Sequence, residues 1–222
     1  MLGILAAANL AYQVAQKPTE LLFPLSGTLD KPPAETWRAY APQFRRYATA
    51  AIPSDLLAAL AQAESSGNPL ARTYWRWRLS WNPLAIYQPA SSAVGTYQMT
   101  GAAFAEARRY CIRHHAVVAA GCGLSGLYMR IIPSHAIELA AIYLDRNVTA
   151  ILDRLPKSAA SPRQIQELAT VVHLCGPSVA AGFAHRGFLP ARGQRCGDHD
   201  LAIYLAKVGT LQREFHRLAG ES

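Results

Sequence analysis

The sequence predicts an all-α, mainly helical protein, and three observations carry that expectation. Alanine is abundant and long valine or isoleucine runs are absent, a composition that favours helix over sheet. Apolar residues recur at helical spacing, as at Leu56, Leu57, Leu60 and Ala63. Start and stop signals bracket such runs, as where Ser161-Pro162 opens one and Cys175-Gly176 closes it. With 222 residues, 51% of them apolar, the chain suits one domain carrying a short extra arm.

The run from Met1 to Ala8 is apolar, but Asn9, Gln13 and Gln16 dilute the stretch after it. No Lys or Arg precedes it, so it lacks the charged start of a secretory signal. It reads as a weak export signal, as the end of a longer precursor, or as an ordinary helix. No stretch has the length of a stable membrane span. Residues 17 to 35 hold Pro18, Pro24, Gly27, Pro32 and Pro33, an arm that wraps the domain or links it to something else. Residues 1–50 are thus expected to form an N-terminal segment and arm, and residues 51–220 the main domain.

A first helix is expected over Thr36 to Ala50. A second starts after Pro53, with Ser54 as its cap and Asp55 in its first turn. Glu64 ends that helix, because Ser65-Ser66-Gly67-Asn68-Pro69 is a strong stop. Residues 70 to 98 read as irregular and aromatic. Further helices are expected over Thr100 to about His115, Ser134 to Leu155, Pro162 to about Cys175, Ser178 to His185, and Asp198 to Leu218. A Gly- and Cys-containing loop covers roughly 120 to 132.

The formal net charge of +8 favours polyanionic partners: nucleic acid, anionic lipid or the carboxylates of a cell-wall polymer. A solvated basic face explains it equally. Basic residues are scattered, with small clusters at Arg45-Arg46 and Arg108-Arg109 and no stacking-aromatic motif, so no nucleic-acid partner is expected. The four cysteines, Cys111, Cys122, Cys175 and Cys196, form no CxxC pair. Their two similar intervals suggest Cys111–Cys122 and Cys175–Cys196 disulfides, although three pairings are possible and buried free thiols are an alternative. Disulfides would imply an oxidising compartment such as the periplasm. His114-His115 and the His199 flanked by Asp198 and Asp200 show no zinc-like spacing, so neither metal nor cofactor is expected.

Glu64 stands out by position. A carboxyl between an apolar helix face and a tight turn can be half-buried while facing a cleft. Desolvation would raise its pKa and keep it protonated, as the acid of glycoside cleavage must be. A solvated helix-terminal glutamate is the plainer alternative. Its surroundings add weight. Glu64-Ser65, Gly67-Asn68-Pro69, Gly95-Thr96-Tyr97-Gln98-Met99 and Tyr204-Leu205-Ala206-Lys207-Val208 occur in that order. Together they resemble the soluble lytic transglycosylase family, whose catalytic (SLT) domain is lysozyme-like, and the resemblance covers about Pro53 to Val208. Thr96 and Tyr97 replace the family's usual central pair, and His173-Leu174-Cys175-Gly176 stands where the family has Tyr-Asn-Ala-Gly. His173 takes the place of that motif's aromatic hydrogen-bonder, or is a satisfied helix-end histidine.

The resemblance implies a periplasmic or envelope enzyme acting on peptidoglycan glycan strands, a glycosidic-bond lyase. It would cleave the MurNAc-GlcNAc β-1,4 bond and leave 1,6-anhydromuramic ends. Glu64 would serve first as acid and then as base. Ser65 and Tyr204 would orient its carboxyl, Gly95, Tyr97 and Gln98 would hold the sugar, and His173 would bind beside them. The chain carries no Asp or Glu between Ser65 and Ala105, which suits a single-carboxylate reaction better than a muramidase. An insertion from Ala71 to Pro89 holds Tyr74, Trp75, Trp77, Trp81 and Tyr87 with Arg72, Arg76 and Arg78. It either walls the cleft and binds substrate or forms a mini-core that pins itself down. The competing functions are a muramidase-type hydrolase, a non-catalytic peptidoglycan-binding scaffold of an envelope-spanning secretion or conjugation machine, and, on charge alone, a nucleic-acid-binding protein.

Overall fold

The computed structural model describes residues 2–22, 24, 27–123, 125–155 and 160–221. Met1 of the apolar N-terminal run and position 124 of the 120–132 loop lie outside them. The chain is mainly helical. The helices are α1 (Leu2–Gln16), α2 (Pro33–Tyr47), α3 (Ser54–Ser65), α4 (Gly101–Ala107), α5 (Pro133–Leu152), α6 (Pro162–Cys175), α7 (Pro177–His185) and α8 (Leu201–Gly220). Three short antiparallel hairpins interrupt them: β1–β2 (Trp75–Trp77 with Tyr87–Pro89), β3–β4 (Cys111–Arg113 with Ala116–Val118) and β5–β6 (Arg195–Cys196 with His199–Asp200).

The core is built around α3. Leu56, Leu57, Ala58, Ala59, Leu60 and Ala61 are all completely buried, so this helix is enclosed on every side rather than apolar along one stripe. Its alanines keep it slim, which lets neighbours approach closely. α8 packs along most of its length, α2 and α5 also border it, and α6 and α7 complete the core against α5. The core reaches back beyond the boundary expected at residue 51. Trp37 and Phe44 of α2 stack with ring centroids 6.0 Å apart, and Trp37 also meets Phe215 of α8 at 6.0 Å.

Local chemistry accounts for the element ends. Ser161 and Gln164 form a reciprocal capping box at the start of α6, as the Ser-Pro signal suggests. Asp200 caps α8 by accepting from Ile203 N at 3.1 Å, so that helix starts after the β5–β6 hairpin rather than at Asp198. Pro53, not Ser54, is the cap residue of α3, and the Asp55 carboxylate accepts from Leu56 N. The helix expected over Thr100 to His115 stops at Ala107 and gives way to β3–β4. His114 and His115 both adopt positive φ, 49° and 61°, the conformation of a two-residue type I′ hairpin turn. The Cys111–Cys122 disulfide then holds this hairpin to the loop after it.

The arm and the aromatic insertion hold each other. Glu20 is nearly inaccessible, and its Oε2 accepts from Arg72 Nη1 at 2.6 Å and from Trp75 Nε1 at 2.8 Å. Lys17 Nζ lies 3.1 Å from the other oxygen. Burial opposes ionisation of Glu20, but these three partners outweigh it and hold its pKa below the usual glutamate value. The amides of Asn9 and Gln13 both donate to Leu84 O, at 2.7 and 2.8 Å, which pins α1 onto the far end of the insertion. Replacing Glu20 with Gln removes the charge that pairs two partly buried cations and should cost about 1–3 kcal/mol, less than for a fully buried pair. Hydrogen exchange should then show faster opening of residues 2–22 and 72–89, with α3 and α8 protected as in wild type.

Candidate active site

Glu64 lies in the last turn of α3, with its side chain 17% exposed. The chain reverses immediately after it through two left-handed residues, Ser66 (φ 52°) and Gly67 (φ 66°). A Cβ on Gly67 would collide with the Thr36 side chain of α2, so the tight reversal requires glycine there. Ser65 anchors the turn. Its hydroxyl reaches Ala61 O at 3.0 Å and Thr96 O at 2.8 Å, tying the end of α3 to the 95–98 loop. Ser65 therefore acts on the loop and makes no hydrogen bond with the Glu64 carboxyl.

Two side chains from distant elements converge on one oxygen of Glu64. The Tyr204 hydroxyl, from the first turn of α8, donates to Oε1. His173 Nε2, from the last turn of α6, stands 3.6 Å from the same atom. Oε2 accepts no hydrogen bond among the described residues. Each partner is held from behind. The His199 ring meets Tyr204 edge-on at 5.8 Å, and Tyr97 meets His173 edge-on at 6.3 Å. The Cys175–Cys196 disulfide links the end of α6 to the hairpin that carries His199.

The electrostatics differ from the expectation of a carboxyl raised by burial alone. Burial does oppose ionisation and is the largest single influence. The hydrogen bond and charge of His173, the hydrogen bond of Tyr204 and the charge of His199 together outweigh it, so the Glu64 pKa lies below the usual glutamate value. Tyr204 is pushed the other way. Burial, then the charge and hydrogen bond of Glu64, hold its pKa well above the usual tyrosine value, so it remains a donor.

Glu64 lines an open cavity of about 460 Å³, shared with Asp30, Ala71 and Lys207 among others. Asp30 comes from the arm, where its Oδ1 accepts from Asn68 Nδ2 at 2.8 Å. Lys207 Nζ donates to Ala63 O at 2.8 Å. No protein-family model matches the chain, and no curated protein does either.

The remaining sequence-predicted residues lie close by but do different work. Tyr97 is 1% exposed and its hydroxyl donates to Leu57 O at 3.0 Å, so it belongs to the core behind His173 and offers nothing to the cavity. Gly95, at φ 83°, is pressed against the backbone oxygen of Arg130, a close approach that only glycine permits. Gln98 Nε2 is engaged by Ala71 O at 2.8 Å and Gly95 O at 3.0 Å, which stiffens the loop and leaves Oε1 as its free polar atom. Within the insertion, Ala71 borders the cavity and Tyr74 OH reaches Asp198 Oδ2 at 3.4 Å, whereas Trp75 turns to the arm. The insertion is thus held by α1 and the arm at Trp75 and Leu84, its other large aromatics Tyr74, Trp77, Trp81 and Tyr87 are exposed, and its first residues lie beside the site.

Sequence reasoning missed Asp30, Lys207 and His199. Lys207 lies three residues after Tyr204, the spacing that places both on one helix face, and could have been found. Nothing in the proline-rich arm marks Asp30. Among the described residues, no cluster of three or more His, Cys, Asp or Glu could hold a metal ion.

Because His173 and Tyr204 both lower the Glu64 pKa, removing either should raise it. A carbon-detected titration of the Glu64 carboxyl should show a higher pKa in His173→Asn and a smaller rise in Tyr204→Phe. A pKa depressed in the folded state also stabilises the fold above the unfolded value, and that contribution is lost as pH falls through the folded value. Acid unfolding should accordingly be less steep in His173→Asn.

Proposed function

We propose that this protein is a peptidoglycan lytic transglycosylase of the periplasm or cell envelope, with Glu64 as its single acid and base. The observation that carries this reading is the Glu64 carboxyl itself. One oxygen is held by Tyr204 beside His173, the other has no hydrogen-bond partner among the described residues, and both stand at the wall of a cavity. Such a group can exchange one proton along one direction. The two disulfides fit an oxidising compartment, and no helix among the described residues is long and apolar enough to cross a membrane.

The chemistry runs in two steps. Protonated Glu64 gives its proton to the bridging oxygen as the MurNAc C1–O bond breaks. The carbonyl oxygen of the substrate's own N-acetyl group closes onto C1 and takes up the positive charge. The Glu64 carboxylate then accepts the proton of the muramic acid 6-hydroxyl while that oxygen attacks C1, reopening the N-acetyl ring and closing the 1,6-anhydro ring. Glu64 ends protonated as it began, and no water is consumed. In the free protein the carboxyl is held too acidic to keep its proton at neutral pH. A glycan laid in the cavity displaces water from Oε2, which adds to the burial that already favours the protonated form. Tyr204 keeps the carboxyl oriented throughout.

A specific observation favours a second reading. Asp30 lines the same cavity, which supplies from the arm the carboxylate missing between Ser65 and Ala105. With Asp30 positioning a water, the same site would hydrolyse the bond as a muramidase.

Digesting purified peptidoglycan with wild type and Glu64→Gln, with products identified by mass spectrometry, separates these readings. Anhydromuramic ends from wild type alone are expected. Reducing ends that disappear in Asp30→Asn would establish the hydrolase, and no product from wild type would sink both. Tyr204→Phe should lose about 10- to 100-fold in kcat, at the low end of what a positioned acid contributes. The falling limb of kcat/KM, which reports the free enzyme, should lie at lower pH than that of kcat, which reports the complex.

A further inference from the structure

We infer that the face formed by α1 and the tip of the aromatic insertion docks on an anionic lipid surface. Leu79 and Trp81, in the loop between β1 and β2, are 103% and 105% exposed, so they stand clear of the body of the protein. Trp77 is 76% exposed on β1. Soluble proteins rarely leave several large apolar side chains together in water without a partner. Ile4, Leu5 and Leu10 of α1 are exposed as well. The two elements form one face: Leu5 and Leu10 line an apolar seam of about 400 Å³ together with Trp77, Ile86 and Tyr87.

The charge pattern names the partner. α1 contains no charged residue. Arg76 and Arg78 alternate with Trp77 and Leu79 and are exposed, and neither makes an ion pair among the described residues. No acidic residue precedes Glu20, which is itself buried, and none occurs between Ser65 and Ala105. The tip of the insertion therefore offers apolar and aromatic groups flanked, on the other side of the strand, by two exposed guanidinium groups, with no carboxylate on its own segments. That combination suits the boundary between acyl chains and negatively charged headgroups. Tryptophan prefers that boundary because its ring is apolar and its N–H is polar. A segment lying in the interface also needs no membrane-spanning length, in keeping with the absence of a spanning helix among the described residues.

The inference makes no use of Glu64 and stands whatever reaction, if any, the cavity performs. It is tested by co-sedimenting the full chain with vesicles of phosphatidylglycerol and phosphatidylethanolamine, and with vesicles of phosphatidylcholine alone. Binding is expected to the first and to be much weaker to the second, and to fall as salt rises. Leu79→Ser with Trp81→Ala should weaken binding on the order of 10-fold or more. Arg76→Gln with Arg78→Gln should do so on the order of 10-fold, with the residual binding less sensitive to salt than that of wild type. Circular dichroism should match wild type in each case, since these side chains support nothing beneath them. Failure of wild type to bind the anionic vesicles would overturn the inference, as would variants that bind like wild type. A dimer that Leu79→Ser with Trp81→Ala converts to monomer, without vesicle binding, would assign the face to a second copy of the chain instead.

Discussion

A carboxylate at the end of a helix enclosed on every side must find its stabilisation in the few groups placed around it, and much of this fold serves to supply them. Six consecutive residues of α3 are out of contact with water, so the charge on Glu64 emerges directly from an apolar interior. Tyr204 arrives on α8 and His173 on α6, each from a helix that packs into the same core. The close packing of α3 with α8 is therefore also the distance constraint of the site. Shifting one helix against the other would cost buried apolar surface and break the contact at Oε1 together.

Legibility in the sequence depends on which interactions are local. Helical caps and apolar periodicity are local, so α2, α3, α5, α6 and α7 are legible to within a few residues. Ser161, Gln164 and Gly176 mark their helix ends without any tertiary help. The β3–β4 hairpin is not legible, because His114 and His115 are unusual residues for a turn that needs two positive φ values, and Ala-rich flanks read as helix. Short motifs brought Glu64, His173 and Tyr204 to attention, but their contact spans 140 residues and no spacing rule contains it. The sign of the Glu64 pKa shift was equally hidden. Burial can be guessed from an apolar helix, whereas the three groups that together reverse its effect, His173, Tyr204 and His199, come from elsewhere in the chain. Tyr97 shows the converse error: a residue inside a cleft-like motif that folding spends on the core.

The arm is the part of the chain whose importance was least visible. Its prolines suggested an arm that wraps the domain or links it to something else; Glu20 gathers Lys17, Arg72 and Trp75 around one buried carboxylate, and Asp30 borders the cavity of Glu64. Proline here shapes a fixed path instead of a loose one. A buried ion pair of this kind adds little net stability compared with apolar packing, but it admits only one docking arrangement, which suits a segment with few apolar residues to guide it.

The Cys175–Cys196 bond has a bearing on how the surroundings of Glu64 are held together. It closes a 21-residue span with His173 two residues before one end and His199 three residues after the other. The packing of α6 into the core already places His173, and the bond adds a covalent tie between that helix end and the hairpin that carries His199. The redox state of the surroundings thus bears on the geometry around Glu64: in a reduced chain the hairpin that carries His199 is no longer covalently tied to the end of α6.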